Sequence, residues 1–232
     1  MIDLDLVNFE NARYERKFVI SDLKLQEIEH IIKFHPAMFS EIFYKRRVNN
    51  LYLDSIDRQN YRDNMEGGPK RLKVRIRWYG NLFGFIEKPV LELKMKYNEV
   101  GVKKSFLLIP FKLDKNFSKK ILQEVFKKSN IPKQVLEILQ SLNFSLLNSY
   151  KRRYFVSMDK KNRITLDNDL VFFEIKDKMN LFKYKIENKK DIILELKYDK
   201  KNDDEISKIT QYFPFRLTKS SKYVSGIDLL SM

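Results

Sequence analysis

Apolar and polar residues alternate with period 2 along most of the chain, the pattern of strands with one buried and one polar face. In Lys73-Val74-Arg75-Ile76-Arg77-Trp78 the cations at 73, 75 and 77 share one face, and Val74, Ile76 and Trp78 share the other. Leu91-Glu92-Leu93-Lys94-Met95-Lys96 and Leu194-Glu195-Leu196-Lys197-Tyr198 repeat the arrangement. Arg13, Glu15 and Lys17 share a face too, as do Tyr150, Arg152 and Tyr154, and Arg163, Thr165 and Asp167. Helical period predicts three helices, over 21–34 with Ser21 or Asp22 as cap, over 116–128, and over 132–142 with Pro132 at the first helical position. Glu66-Gly67-Gly68-Pro69 and the Lys/Asp-rich stretch 199–205 read as loops between strands. The expectation is a strand-heavy α+β fold, in one domain over residues 1–232, since no repeat or linker divides the chain.

Any one of these polar faces alone reads as the solvated side of an amphipathic sheet. Their composition argues otherwise, because a Glu stands two residues before a Lys in Glu15/Lys17, Glu92/Lys94 and Glu195/Lys197, among further cations. If the strands close into a barrel with polar faces inward, they enclose a basic tunnel with a few carboxylates. Such an interior is tolerable only when an anion fills it.

Charge sharpens this picture. The 232 residues carry 46 Lys and Arg against 31 Asp and Glu, a net +15 that attracts phosphate-rich partners and leaves nucleic acid, nucleotides, polyphosphate and anionic membrane open. The absence of cysteine removes disulfides, thiolate metal sites and cysteine nucleophiles, and two histidines, His30 and His35, argue against a multi-histidine metal centre or a serine–histidine triad. None of the six glycines lies in a phosphate-cradling Gly-rich motif, so any phosphate is held by side chains. The first residues, Met-Ile-Asp-Leu-Asp-Leu, lack a secretory n-region, and no apolar run reaches membrane-helix length; the expected location is cytoplasmic. Trp78, Phe172-Phe173 and the two histidines read as packing residues, and Asp203-Asp204-Glu205 as a solvated turn.

In this setting an ordered set of strings stands out: Tyr14-Glu15-Arg16-Lys17-Phe18, Leu51-Tyr52-Leu53-Asp54-Ser55, Tyr61-Arg62-Asp63, the run from Glu66 to Gly80, Glu92-Leu93-Lys94, Val102-Lys103-Lys104, Tyr150-Lys151-Arg152, Arg163-Ile164-Thr165-Leu166-Asp167, Leu194-Glu195-Leu196-Lys197 and Lys219-Ser220-Ser221-Lys222-Tyr223. Their order, over roughly residues 12 to 228, resembles the VTC-type polyphosphate polymerase family, named after the vacuolar transporter chaperone and belonging to the CYTH-like triphosphate tunnel metalloenzymes. The resemblance implies a closed antiparallel eight-stranded β-barrel with covering helices, a tunnel for ATP phosphates or polyphosphate, and a divalent metal, Mn²⁺ before Mg²⁺. Position by position, it implies Arg75, Arg77, Lys94, Arg152 and Arg163 as catalytic cations. Lys17, Lys103, Lys104, Tyr150, Lys197, Lys219, Ser221 and Lys222 would bind phosphate, with one of Lys103 and Lys104 lining the tunnel. Glu195 would hold the metal, with Glu15 and Glu92 as weaker candidates. Lys96 stands where a family member has histidine, and Ser105 where arginine commonly follows the Val-Lys pair, which points to a different nucleoside grip and tunnel exit.

The resemblance implies transfer of the ATP γ-phosphate to polyphosphate. Triphosphatases of the same fold carry further tunnel carboxylates to position water; here Arg13 and Lys197 occupy two such positions, which favours holding a polyanion. A non-catalytic polyphosphate sensor is a third reading. A nucleic-acid module is a fourth, opposed by the glutamates on the cationic faces and by the absence of an RRM aromatic signature. The partners expected are ATP and polyphosphate, with any membrane link through a separate protein.

Overall fold

In the computed structural model, which describes residues 13–97 and 100–231, period-2 alternation becomes two-sided burial. The reading of residues 1–6 and the side chain of Arg13 lie outside this description. Strand β3 (Lys70–Tyr79) buries Val74, Ile76 and Trp78 and turns Lys73, Arg75 and Arg77 the other way. The other long strands are β1 (Arg13–Ile20), β2 (Ser40–Asp54), β5 (Val90–Tyr97), β6 (Val100–Leu107), β8 (Asn143–Val156), β9 (Asn162–Phe173) and β11 (Ile192–Asp199). Short strands β4 (Gly84–Ile86) and β7 (Phe111–Leu113) pair with each other, and β10 (Lys185–Asn188) extends the edge at β9.

The main sheet runs β10-β9-β11-β1-β6-β5-β3-β2-β8, all register pairs are antiparallel, and β8 also pairs with β9. Among the described residues β1 and β6 share one register pair, Arg13 with Gly101. The closed barrel expected from the sequence is therefore met in part: the fold is antiparallel, β-rich α+β, while the described residues show no more than that one pair where β1 meets β6.

Helices α3 (Lys119–Lys128) and α4 (Lys133–Gln140) cover the apolar face of β2, β3, β5 and β8, where Leu51, Val74, Ile76, Trp78 and Leu93 meet Leu122, Phe126 and Leu139. Helix α1 (Leu25–Lys33) covers the far side, its Ile28 and Ile32 packing with Phe18, Phe155, Leu194 and Leu196. These helices are shorter than their apolar periodicity predicts because local caps start them late. Ser118 Oγ accepts from the Ile121 amide, the Lys24 amide donates to Glu27 Oε2 at 2.7 Å, and Pro132 caps α4 instead of opening it.

Three α-helices lie where the sequence reading placed none. Helix α2 (Gln59–Glu66) precedes the glycine turn, so that turn joins a helix to β3, and Gly67 at φ 75° ends the helix as only an unhindered residue does cheaply. The 199–205 stretch does not join strands either. It forms a 3₁₀ turn (Lys200–Glu205), followed by α5 (Ser207–Thr210) and then by α6 (Lys222–Ser231).

Helix α6 lies on the polar-residue side of the sheet. There the face turns apolar toward one end, where Val48, Tyr52, Leu146, Tyr150, Phe172 and Ile193 receive Tyr223 and Ile227. A bulge creates this patch: with Asp169 at φ 52° and a register shift between Ser149 and Lys151, β9 shows Asp167 and then Leu170 and Phe172 on the same side. Gly226 makes the seat possible, since a Cβ there would stand 2.5 Å from Leu146 Cδ2 and 2.6 Å from Phe172 Cδ1.

Candidate functional site

The polar side chains gather into three linked groups. In the first, neighbouring strands β2, β3, β5 and β6 bring Arg75, Arg77, Glu92 and Lys103 together. Arg75 grips Glu92 through Nε at 2.8 Å and Nη2 at 2.7 Å, and Lys103 Nζ reaches the other carboxylate oxygen at 3.0 Å. Arg77 is aimed by three partners: its Nε donates to Asn50 Oδ1 at 3.0 Å, its Nη2 to the Tyr150 hydroxyl at 3.3 Å, and its Nη1 lies 3.8 Å from Glu92. Asn50 in turn donates to Asn148 Oδ1 at 2.9 Å. Burial opposes ionisation of Glu92, yet Arg75, Arg77 and Lys103 together hold it far below the usual carboxylate range.

The second group spans β1, β3 and β5. Glu15 receives Lys17 at 3.0 Å and Lys94 at 2.8 Å, and Lys17 Nζ also donates to the Ser220 carbonyl at 3.0 Å. Lys73, directly opposite Lys94 in register, lies 2.8 Å from Ser221 Oγ. Burial is the main reason the Lys94 ammonium is pushed down to about 8, with repulsion from Lys17 adding to it against the pull of Glu15.

The third group belongs to β8, β9, β11 and α6. Arg152 clasps Asp167, its Nη2 donating to Oδ2 at 2.6 Å, and reaches Glu195 at 3.5 Å. Lys222, at the start of α6, bridges the same two carboxylates, at 2.6 Å to Asp167 and 3.2 Å to Glu195. Lys197 and Lys17 complete the ring of cations around Glu195 at 3.3 and 3.8 Å. Burial works against the charge of Glu195, but Lys222, Lys197, Lys17 and Arg152 outweigh it and keep the carboxyl well below its ordinary range. The Tyr150 ring lies beneath both cations, 5.3 Å from the Arg152 guanidinium carbon and 5.0 Å from Lys222 Nζ.

Most of the residues singled out from sequence thus converge, with three exceptions. Lys104 is exposed and stands in register with Leu93, on the outward face, whereas Lys103 reaches Glu92. Arg163 is exposed at the end of the polar face, and Lys219 is exposed in the segment before α6. The expected Glu-to-Lys pairing two residues apart holds at Glu15/Lys17 and Glu195/Lys197. It fails for Glu92, whose partners come from β3 and β6 while Lys94 turns to Glu15. Sequence reading missed the roles of Lys73, Asn50, Asn148 and Asp167. Parity with Arg75 and Thr165 marks Lys73 and Asp167, whereas nothing local marks the asparagines.

Among the described residues no group of three or more His, Cys, Asp or Glu forms a ready cage for a metal ion. The donor set fits a different arrangement, in which a small hard cation takes one or two protein carboxylates and draws its remaining oxygens from phosphate. Glu195 suits this, with the Thr165 hydroxyl 3.4 Å from its Oε2 and with cations alongside that phosphate would attract. No helix among the described residues is long and apolar enough to cross a membrane.

A family model described as the VTC domain matches residues 12–231. No curated protein matches the chain. Among solved structures, similarity extends to HpAC1 from Hippeastrum, described as an adenylyl cyclase candidate with a dominant triphosphatase activity, at TM-score 0.54 and 12% identity over 94% of this chain and 95% of that one. A Bacillus halodurans protein described as an adenylate cyclase candidate matches at TM-score 0.51 and 13% identity, over 91% of this chain and 94% of its own. PH1819 from Pyrococcus horikoshii OT3 matches at TM-score 0.50 and 13% identity, over 95% and 99%. At such identities the likeness concerns the fold.

Proposed function

The chain belongs to the VTC domain family, and on that premise we propose that it is an ATP-dependent polyphosphate polymerase whose sheet closes around its substrate as a tunnel. One observation carries this reading: Glu15, Glu92, Asp167 and Glu195 are each shared by two or more cations, an interior built to hold a polyanion more than to orient a water. Glu92 is shared by Arg75, Arg77 and Lys103, and Glu195 by Lys17, Arg152, Lys197 and Lys222.

Phosphoryl transfer proceeds through a loose transition state, so positioning and electrostatic stabilisation provide most of the catalysis. The terminal phosphate oxygen of the growing chain attacks the γ-phosphorus of ATP. One P–O bond forms there as the bond to the β,γ-bridging oxygen breaks and ADP leaves. The nucleophile is already ionised, so no general base is needed. Arg77 and Arg75, two residues apart on β3, reach adjacent phosphoryl oxygens with planar forks, while Arg152, Lys94, Lys17 and Lys222 hold the flanking phosphates. Arg163, Lys197, Lys219 and Lys103 guide the chain at the ends. Glu195 is the group that would hold a divalent cation, Mn²⁺ before Mg²⁺, whose chemistry is neutralisation of phosphoryl charge.

The second reading is a triphosphatase, favoured by the activity described for the Hippeastrum neighbour. Incubation of the protein with ATP and Mn²⁺ tests both. ADP with a polymer ladder supports the polymerase, and orthophosphate release without polymer replaces it with the hydrolase. Glu195→Gln should bind tripolyphosphate at least as tightly as wild type and form little polymer; normal polymer formation by this variant moves the metal elsewhere.

A further inference from the structure

Lys73 differs from the cations around it. It shares the face of Arg75 and Arg77, yet its partner is a hydroxyl, Ser221 Oγ at 2.8 Å, and no carboxylate among the described residues lies within ion-pairing distance of it. The charged groups facing it are Lys17 and Glu15 from β1, Lys94 from β5 and Arg75 from its own strand. Glu15 is already shared by Lys17 and Lys94. On β2, Asp54 is engaged by the Asn60 and Tyr61 amides and the Tyr223 hydroxyl, and on α2, Asp63 accepts from Gln59 while Tyr61 donates to Asp228. Lys17 also reaches Glu195 at 3.8 Å, so of the three lysines Lys73 alone has no carboxylate partner among the described residues.

We propose that Lys73 is a further phosphate ligand of the tunnel that gains proton occupancy from solvent as the polyanion is seated beside it. This rests on the tunnel reading above. Burial first, and then repulsion from Lys17, Lys94 and Arg75, hold the Lys73 ammonium well below the ordinary lysine range. Its partner suits both states, because a hydroxyl donates to a neutral amine and accepts from an ammonium. A phosphate chain among the three lysines supplies the missing negative charge and raises the proton affinity of Lys73. The proton moves from buffer to Nζ, and the new ammonium donates to a phosphate oxygen. Binding and protonation favour each other, so affinity falls as pH rises.

Titration calorimetry with metal-free tripolyphosphate at pH 7, in two buffers of different ionisation enthalpy, tests this on wild type, Lys73→Arg and Lys73→Met. Protons carried by the ligand are common to all three proteins, so differences between them isolate the lysine. Wild type should take up measurably more protons per ligand than either variant. Lys73→Arg, always charged, should keep affinity within about threefold, and Lys73→Met should bind roughly tenfold more weakly or worse, as loss of a charge-assisted hydrogen bond requires. Equal proton uptake by wild type and Lys73→Arg overturns the inference, and that variant decides the matter even where Lys73→Met does not fold. Tripolyphosphate binding without excess uptake leaves the tunnel reading standing and this inference refuted. Failure of wild type to bind tripolyphosphate at all overturns both.

Discussion

Arg75 and Arg77 look equivalent in the sequence, and their surroundings make them different. An empty basic tunnel would be relieved by losing either cation, but Arg75 holds the nearly buried Glu92 with two hydrogen bonds, whereas Arg77 leans on the neutral Asn50 and Tyr150. Arg77→Ala should lower polymer formation by at least about 100-fold, the scale for removing one transition-state donor, with a melting temperature close to wild type. Arg75→Ala should lose activity and melt earlier, because the Glu92 charge then depends on Lys103 and a more distant Arg77. Equal melting of the two variants would sink this distinction. Asp167 is a stronger case, being fully buried between Arg152 and Lys222. Asp167→Ala should cost about 3–5 kcal/mol in denaturant unfolding, the range for breaking a buried ion pair from one side. Tripolyphosphate, with each protein at the same multiple of its own dissociation constant, should stabilise wild type and variant by the same amount and leave that gap standing. Side-chain parity along a strand was enough to put 73, 75 and 77 together. Which carboxylate each cation meets depends on strand neighbours, and that order was not written in any local stretch.

At the scale of elements, the strands with strict alternation, β3, β5 and β11, were legible because each buries one face against helices or its neighbours. Helix α2 was not, for its sequence Gln59–Glu66 carries no apolar stripe and its first amides are satisfied from outside by Asp54. Helix α6 did leave a trace, Tyr223 and Ile227 four residues apart, with Gly226 between them weakening it. That glycine should be intolerant of substitution although Ala is the better helix former. Gly226→Ala would push the helix off Leu146 and Phe172 and shift Lys222 and Ser221 with it. The expected outcome is a loss of about 1–3 kcal/mol in stability, typical of overpacking, and a KM for ATP raised more than kcat is lowered. A variant as stable and active as wild type would show that α6 does not set the position of Lys222.

For the whole molecule the governing quantity is positive charge gathered on one face. Folded Lys94 titrates at about 8 and Lys73 lies well below its ordinary value, against 10.5 for the unfolded lysine. Between pH 8 and 9 the unfolded chain therefore binds more protons at these two positions than the folded one, and their contribution to stability rises with pH over that window, before the raised pKa values of Lys17, Lys222 and several tyrosines act in the opposite sense near pH 10. Thermal melts of the ligand-free protein at pH 7, 8 and 9 should climb in that order, and a flat or falling series would contradict the lowered proton affinity of these two lysines. Tripolyphosphate at 100 times its dissociation constant should add about 2.7 kcal/mol, and orthophosphate much less. The same face draws on distant parts of the chain: Lys17 Nζ meets the Ser220 carbonyl across a sequence separation of 203 residues, and β1 pairs with β11 along its whole length. Contacts of that separation close late, since loop-closure entropy must be overcome before they form. The polyanion then has nothing to bind until folding is almost over, so it should act as a brake on unfolding and not as a template for folding. In stopped-flow refolding, tripolyphosphate should leave the folding arm of the chevron nearly unmoved and lower the unfolding arm by almost the full change in stability.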